Sequence, residues 1–304
     1  MVSCAAYYYY YYYYRYQRIK YLLKSDTFTS EFEIEHYIFL YRFHWFTMWK
    51  LNILVLACIC GYLSDVCNGA QKTVHRKLKK TFSGVLVDGP FVVTVVFGEE
   101  EEVMLSGQDT VIQSVQTRVS PEGTLTIRFK PDTNINDPGN IQIQVTAKAV
   151  TSLVASSNSQ LITQSDFTAK NNLAVASYGS SQIIMQGTVT TSSFSAVVST
   201  SSSLVAAVAV ETANVVASGT SGVTLTGTAD NANIAISDSS QFHGGQLVVQ
   251  FLSASVSGKA KAELNSMKEL KVSVSQSGMA ITSGSAKVVK EIKDKGTILH
   301  QDLA

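Results

Sequence analysis

Asp238 and His243, five positions apart, are the best general acid/base candidates in the second half of this 304-residue chain. They flank the stretch Ser239-Ser240-Gln241-Phe242, and His243 is the only histidine between His75 and His300. A carboxylate within reach of an imidazole is the arrangement that can hold a base near neutral pH. Cleavage of a polysaccharide needs more, namely a second carboxylate or a cluster able to hold calcium. The remaining acids between 149 and 258 are Asp166, Glu211 and Asp230. Asp230 and Asp238 lie eight apart, within one coil of the repeat described below, so they do not match positions on successive coils. Serine is abundant, yet no Gly-x-Ser-x-Gly elbow occurs, and zinc spacings, a phosphate loop and a dinucleotide fingerprint are absent. The expectation is therefore no catalytic residue, no cofactor and no metal. Tyr178, Asp238 and His243 are expected as ligand contacts only, with Tyr178 able to stack on a sugar ring.

Other charged clusters have plainer readings. Residues 99–102 are four adjacent glutamates, which suit a solvated strand tip better than calcium, whose ligands converge from a curved loop. The basic run 75–80 could touch anionic glycan or lipid headgroups, but reads first as a solvated linker. Charged residues make up 15% of the chain and the formal net charge is +1, so nothing in the total favours nucleic acid. Residues 71–304 carry 18 Lys+Arg and 18 Asp+Glu. The four cysteines, Cys4, Cys58, Cys60 and Cys67, all precede residue 71, so the rest has no disulfide or thiolate. No Asn-x-Ser/Thr sequon occurs.

The elements that would position Tyr178, Asp238 and His243 form a repeat. Seven segments (153–161, 175–183, 197–204, 215–223, 234–242, 254–260 and 272–279) share alternating apolar residues, a Ser/Thr/Gly/Asn corner and a further apolar residue. The post-corner residues Leu161, Ile183, Leu204, Val223, Phe242, Ala260 and Met279 are spaced 22, 21, 19, 19, 18 and 19 apart. That period predicts an all-β fold, a right-handed parallel β-helix of about seven rungs of 18–22 residues. Val175, Ile183, Val197, Leu204, Val215, Val223, Leu225, Ile234 and Ile236 are the expected inward residues, and the corner serines and asparagines the expected backbone partners.

Residues 71–147 read as a β-rich N-terminal capping module, with strand alternation in 82–97, 103–105, 123–129 and 141–145 and no helical period. Residues 148–304 read as the β-helix, closed by the charged stretch 287–295 as a C-terminal cap. Upstream, 1–47 is a leader with eight consecutive tyrosines that need not be translated, since Met48 starts a signal-like order. Lys50, the apolar run 51–63 and the small residues Cys67, Gly69 and Ala70 predict a signal peptide over 48–70, with cleavage before Ala70 or Gln71. A short anchor and lipidation at Cys58 are the alternatives. All three place the remainder outside the cytoplasm, with membrane contact only through an uncleaved N-terminal segment.

The series Phe82-Ser83-Gly84-Val85-x-Val87-x-Gly89-x-Phe91-x-Val93-x-Val95, then Val103-x-Leu105-x-Gly107 and Gly123-Thr124-Leu125-x-Ile127, followed by Ser/Gly-rich rungs, resembles the auto-transporter adhesin "head GIN" domain family. This is a domain of unknown function known mostly from bacteria. The resemblance covers roughly residues 80–284 and implies a secreted or surface β-helical domain, with no catalytic residues to carry over. The Tyr-rich leader and corners without a Ser-Gly pair, such as Ser201-Ser202-Ser203, depart from it. The function expected is a non-enzymatic, adhesin-like protein of the cell surface or medium that binds extracellular glycan or a surface protein. A carbohydrate-active enzyme on the same fold and a self-assembling structural protein are the alternatives.

Overall fold

The computed structural model describes residues 71–131, 133 and 141–301. The leader, the 48–70 segment and all four cysteines lie outside these, as do Pro138 and Gly139. In chain order, β1 (Gln71–Lys77), β2 (Gly84–Asp88), β3 (Val92–Phe97) and β4 (Glu102–Gln108) precede α1 (Asp109–Ser114). β5 (Val115–Val119), β6 (Thr124–Phe129) and β7 (Gln142–Ala147) follow. β8 (Ser152–Ser156), β9 (Gln160–Thr163), β10 (Phe167–Thr168) and β11 (Asn172–Ser177) lead into five long strands. These are β12 (Gln182–Val198), β13 (Ser203–Ala217), β14 (Gly222–Ile236), β15 (Gln241–Val256) and β16 (Lys261–Val274). β17 (Met279–Ser283), β18 (Lys287–Ile292) and β19 (Thr297–His300) complete the described elements.

The strands stack as the expected all-β solenoid, of about seven turns. Each long strand pairs in parallel with the next, so one coil lies on another. In β13, Leu204, Ala206, Val208 and Val210 point inward, then Ala213, Val215 and Ala217 do. Glu211 and Thr212 both face outward between them, which bends the strand without a loop. A strand so bent supplies several faces of one coil, and its inward Val, Leu and Ile are each stabilised by about 1.5–3 kcal/mol on burial.

Sharp corners fall at 199–202, 218–221, 237–240, 257–260 and 275–278. Their second residues, Thr200, Gly219, Asp238, Gly258 and Gln276, have φ between 56° and 73°, the left-handed region. At Gly258 a Cβ would lie 2.7 Å from the Asp238 carbonyl oxygen, so the close approach of corners needs glycine there. The last corner residue is buried in successive rungs as Ser159, Ser181, Ser202, Ser221, Ser240 and then Ala260. Ser202, Ser221 and Ser240 each donate to the first carbonyl of their own corner, at 2.7, 2.8 and 2.7 Å. Ser181, Ser221 and Ser240 also reach a carbonyl one rung back, on Ala155, Val198 and Ala217. These hydroxyls tie rung to rung where no disulfide does.

Two sequence expectations shift by register. Val197 is 39% exposed, because Ser192 and Ser193 face outward together and put Phe194, Ala196 and Val198 inside. The partners of Phe242 are Ala262 and then Ala280, not Ala260 and Met279. The pairing of β14 with β15 slips between Thr224 and Gly227, which lengthens the coil that leads to Ala262, and the pairing of β15 with β16 is irregular after His243 and again after Val249, which shortens the next.

The ladder runs across the expected 147/148 boundary. β2 pairs in parallel with both β6 and β8, and β3 with both β7 and β9. β2 and β3 thus form a rung, lying between β6 and β7 on one side and β8 and β9 on the other. Beyond it, β1 and β7 flank β4 in antiparallel pairing, β5 pairs antiparallel with β6, and α1 buries Val111 and Ile112. The helix was not expected from the sequence; six residues are too few to show a helical period. The basic run also differs from a solvated linker, since 71–77 is β1. The 287–295 stretch lies on the last described coil. It contains β18, which stacks on β16, and β19 follows by stacking on β17.

Candidate functional site

Tyr178 sits on the corner between β11 and β12, just before Gly179 and Ser180, both left-handed. Its backbone N–H donates to the Ala155 carbonyl at 2.9 Å and faces the Ser181 hydroxyl at 3.1 Å, while its ring is 39% exposed. Asp238 lies on the same ridge of corners, separated from Tyr178 by the corners at 199–202 and 218–221. At about 4.8 Å per rung that places them on the order of 14 Å apart, one ridge rather than one pocket. Asp238 is exposed, but its Oδ2 accepts the Gly219 N–H at 3.0 Å and the Ser237 hydroxyl at 3.3 Å. The carboxylate caps the corner of the preceding rung.

His243 faces outward from β15, and its Nδ1 lies 3.4 Å from Glu263 Oε1 on β16, its register partner. Both side chains are about half exposed, where such a pair contributes little. Asp238 and His243 therefore have different partners on opposite neighbouring rungs. Asp166 repeats the capping role, its Oδ1 accepting the Thr188 N–H at 2.7 Å. Asp294 does the same to the Gln276 N–H at 3.4 Å. Among the described residues no three His, Cys, Asp or Glu side chains are grouped to hold a metal ion.

The 99–102 glutamates lie at a turn entering β4, and Glu102 Oε2 is 3.3 Å from His75 Nδ1 on β1. Arg76, from the same basic run, turns under α1. Its guanidinium donates to the carbonyls of Ile112 and Val115, both at 2.8 Å, and to the Thr117 hydroxyl at 3.2 Å. Burial pushes it below the usual arginine range.

A depression of about 210 Å³ on the β5–β6 hairpin escaped sequence reasoning. Gln116, Arg118, Ser120, Pro121, Thr126 and Arg128 line it. The antiparallel register sets Gln116 opposite Arg128 and Arg118 opposite Thr126. Alternation within Gln116-x-Arg118 and Thr126-x-Arg128 is the signal that puts all four on one face. The pairing of the two runs is not visible in composition.

The Gly89-Pro90-Phe91 turn of the family series is explained by packing. Phe82 and Phe91 are buried, and Gly89, at φ 131°, leaves room for the Phe91 ring, which lies 2.8 Å from where a Cβ would be. The model of the family described as "Putative auto-transporter adhesin, head GIN domain" matches residues 81–286, more than half of the chain. Comparison with curated proteins finds no match. Solved structures with this fold include a putative adhesin from Parabacteroides distasonis (21% identity, TM-score 0.73, covering 77% of this chain and 98% of that one). A putative adhesin from Parabacteroides merdae has 18% identity and a TM-score of 0.73, covering 77% and 97%. A putative lipid binding protein from Parabacteroides distasonis has 16% identity and a TM-score of 0.72, covering 77% and 98%. At these identities the likeness concerns the fold.

Proposed function

We infer the function from one premise: this chain belongs to the head GIN domain family described as putative auto-transporter adhesins. Its role is adhesin-like, at the cell surface or in the medium, and non-enzymatic. It binds a glycan-bearing extracellular surface through exposed ridges and faces of the solenoid. The observation that carries this reading is the fate of the acids and the histidine. Asp166 and Asp238 each cap a neighbouring rung, and His243 pairs with Glu263 across an exposed face. Groups spent on joining rungs do not converge on a bond to be broken, whereas a rigid repetitive face suits multivalent contact. The family and the solved structures of this fold are described as adhesins or lipid binding, not as enzymes.

The test uses chain collected from the medium or cell surface, beginning near Ala70 or Gln71, applied to a panel of immobilised glycans. Saturable binding with the glycans left intact is expected. Retention of the chain in the cytoplasm, or release of shortened glycan that stops in Asp238→Ala or His243→Ala, would refute the reading.

A further inference from the structure

We propose that the depression between Arg118 and Arg128 holds one anionic group, a carboxylate or a sulfate ester, carried on a sugar chain. This rests on the reading that the protein binds an extracellular glycan, and names the chemistry of one contact. The two guanidinium groups project from diagonal positions of an antiparallel pair, whose backbones are roughly 7–8 Å apart and whose Cβ atoms are somewhat closer. Neither forms an ion pair among the described residues. Arg128 Nε donates to Gln116 Oε1 at 3.1 Å, which fixes the plane of that guanidinium and leaves its terminal N–H groups for another acceptor. Two like charges held side by side repel, and an anion between them relieves that repulsion. The acid on the connecting turn, Glu122, is exposed and lies beside Ser120, a lining residue whose hydroxyl holds its carboxyl below the usual range, and solvent screens its charge from an anion between the arginines.

The planar fork of arginine matches the paired oxygens of a carboxylate or sulfate, giving charge-assisted hydrogen bonds that lysine does not reproduce. Pro121 adds an apolar portion of wall. The volume, about 210 Å³, is below the roughly 300–1,000 Å³ of sites for drug-sized ligands, which suits a single residue of a polymer. Two cations on a neutral body do not make the long stripe that nucleic acid requires. A sugar chain with separated charges fits better.

The experiment is titration calorimetry of the full chain with a galacturonate oligosaccharide, a sulfated galactan oligosaccharide and a neutral galactan oligosaccharide, at low and high ionic strength. One or both acidic probes should bind, more weakly in high salt, and the neutral probe should not. The double variant Arg118→Gln/Arg128→Gln should weaken that binding by about tenfold or more, the scale of losing a charge-assisted contact. Arg118→Lys/Arg128→Lys should fall between. Both arginines are exposed, so thermal midpoints should match the parent and exclude misfolding. Acidic probes that bind the glutamine variant equally, or no acidic probe binding at low salt, would overturn the inference. If the chain still adheres to the glycan panel in either case, the adhesin-like reading survives; if it adheres to nothing, both fail.

Discussion

The Ser221 hydroxyl donates to two carbonyls, Ser218 at 2.8 Å and Val198 at 3.2 Å, while the equivalent Ser159 hydroxyl is buried with no partner among the described residues. The two serines look alike in the sequence, yet they should respond in opposite ways to loss of oxygen. Ser221→Ala removes a satisfied hydrogen bond and should lower stability by about 0.5–1.5 kcal/mol. Ser159→Ala removes a buried group that pays desolvation without compensation, so it should be neutral or stabilising. Paired denaturant unfolding of both variants checks this, and equal destabilisation would show that the ladder of hydroxyls is not what joins the rungs. Ala260 at the same position already shows that a rung closes without the hydroxyl. At this scale the sequence was legible where apolar residues alternate without interruption, as at Val223, Leu225, Ile234 and Ile236, all buried. It misled at Val197, because two adjacent outward serines invert the phase and nothing in composition marks such a bend. Asp238 and His243 stood out by type and nearness along the chain, but the neighbouring rungs on opposite sides give each its own partner.

Arg76 fastens α1 to the strands β1 and β5. α1 has six residues, too short to persist alone. The Arg76 guanidinium, coming from β1, satisfies the carbonyls of Ile112 and Val115 at its C-terminal end and so fastens strand, helix and β5 together. Arg76→Ala leaves the part-buried Val115 carbonyl without its guanidinium partner and the Ile112 carbonyl with only the Val115 N–H, and should destabilise the chain by about 1–3 kcal/mol, with hydrogen exchange rising first in α1 and β5. Exchange unchanged in α1 would refute this role for the arginine. Neither the helix nor its cap was readable, since one basic residue among His75, Lys77, Lys79 and Lys80 carries no mark of being the buried one. The strands of 82–147 were readable by alternation, but not their order. That β2 and β3 lie between β6 and β7 on one side and β8 and β9 on the other depends on which strand edges meet, a long-range choice that local pattern does not encode.

A solenoid whose last coils present open strand edges can stack end to end into a filament, a route to self-assembly besides the side-by-side packing of Ser/Thr-rich faces. Charge argues against it. Among the described strands, β1 and β5 each pair on one side only, and their unpaired charges are Lys77 and Arg118, since Lys72 pairs with Asp109 and Arg76 is turned under α1. At the other end β18 and β19 also pair on one side only, and β18 brings Lys287 and Lys290 against Glu291. Both edges are therefore positive, and lysine along an edge opposes strand addition. The full chain should sediment as a monomer at low ionic strength, independent of concentration. Reversing one end with Lys287→Glu/Lys290→Glu makes the two edges complementary and should produce concentration-dependent assembly. That assembly should weaken as salt shortens the Debye length from about 30 Å at 0.01 M to about 8 Å at 0.15 M. Filaments of the unaltered chain at low salt would show that edge pairing outweighs the repulsion. Stacking could then present many copies of the Arg118–Arg128 depression in a row, and surface avidity would come from assembly rather than from the faces of a single solenoid.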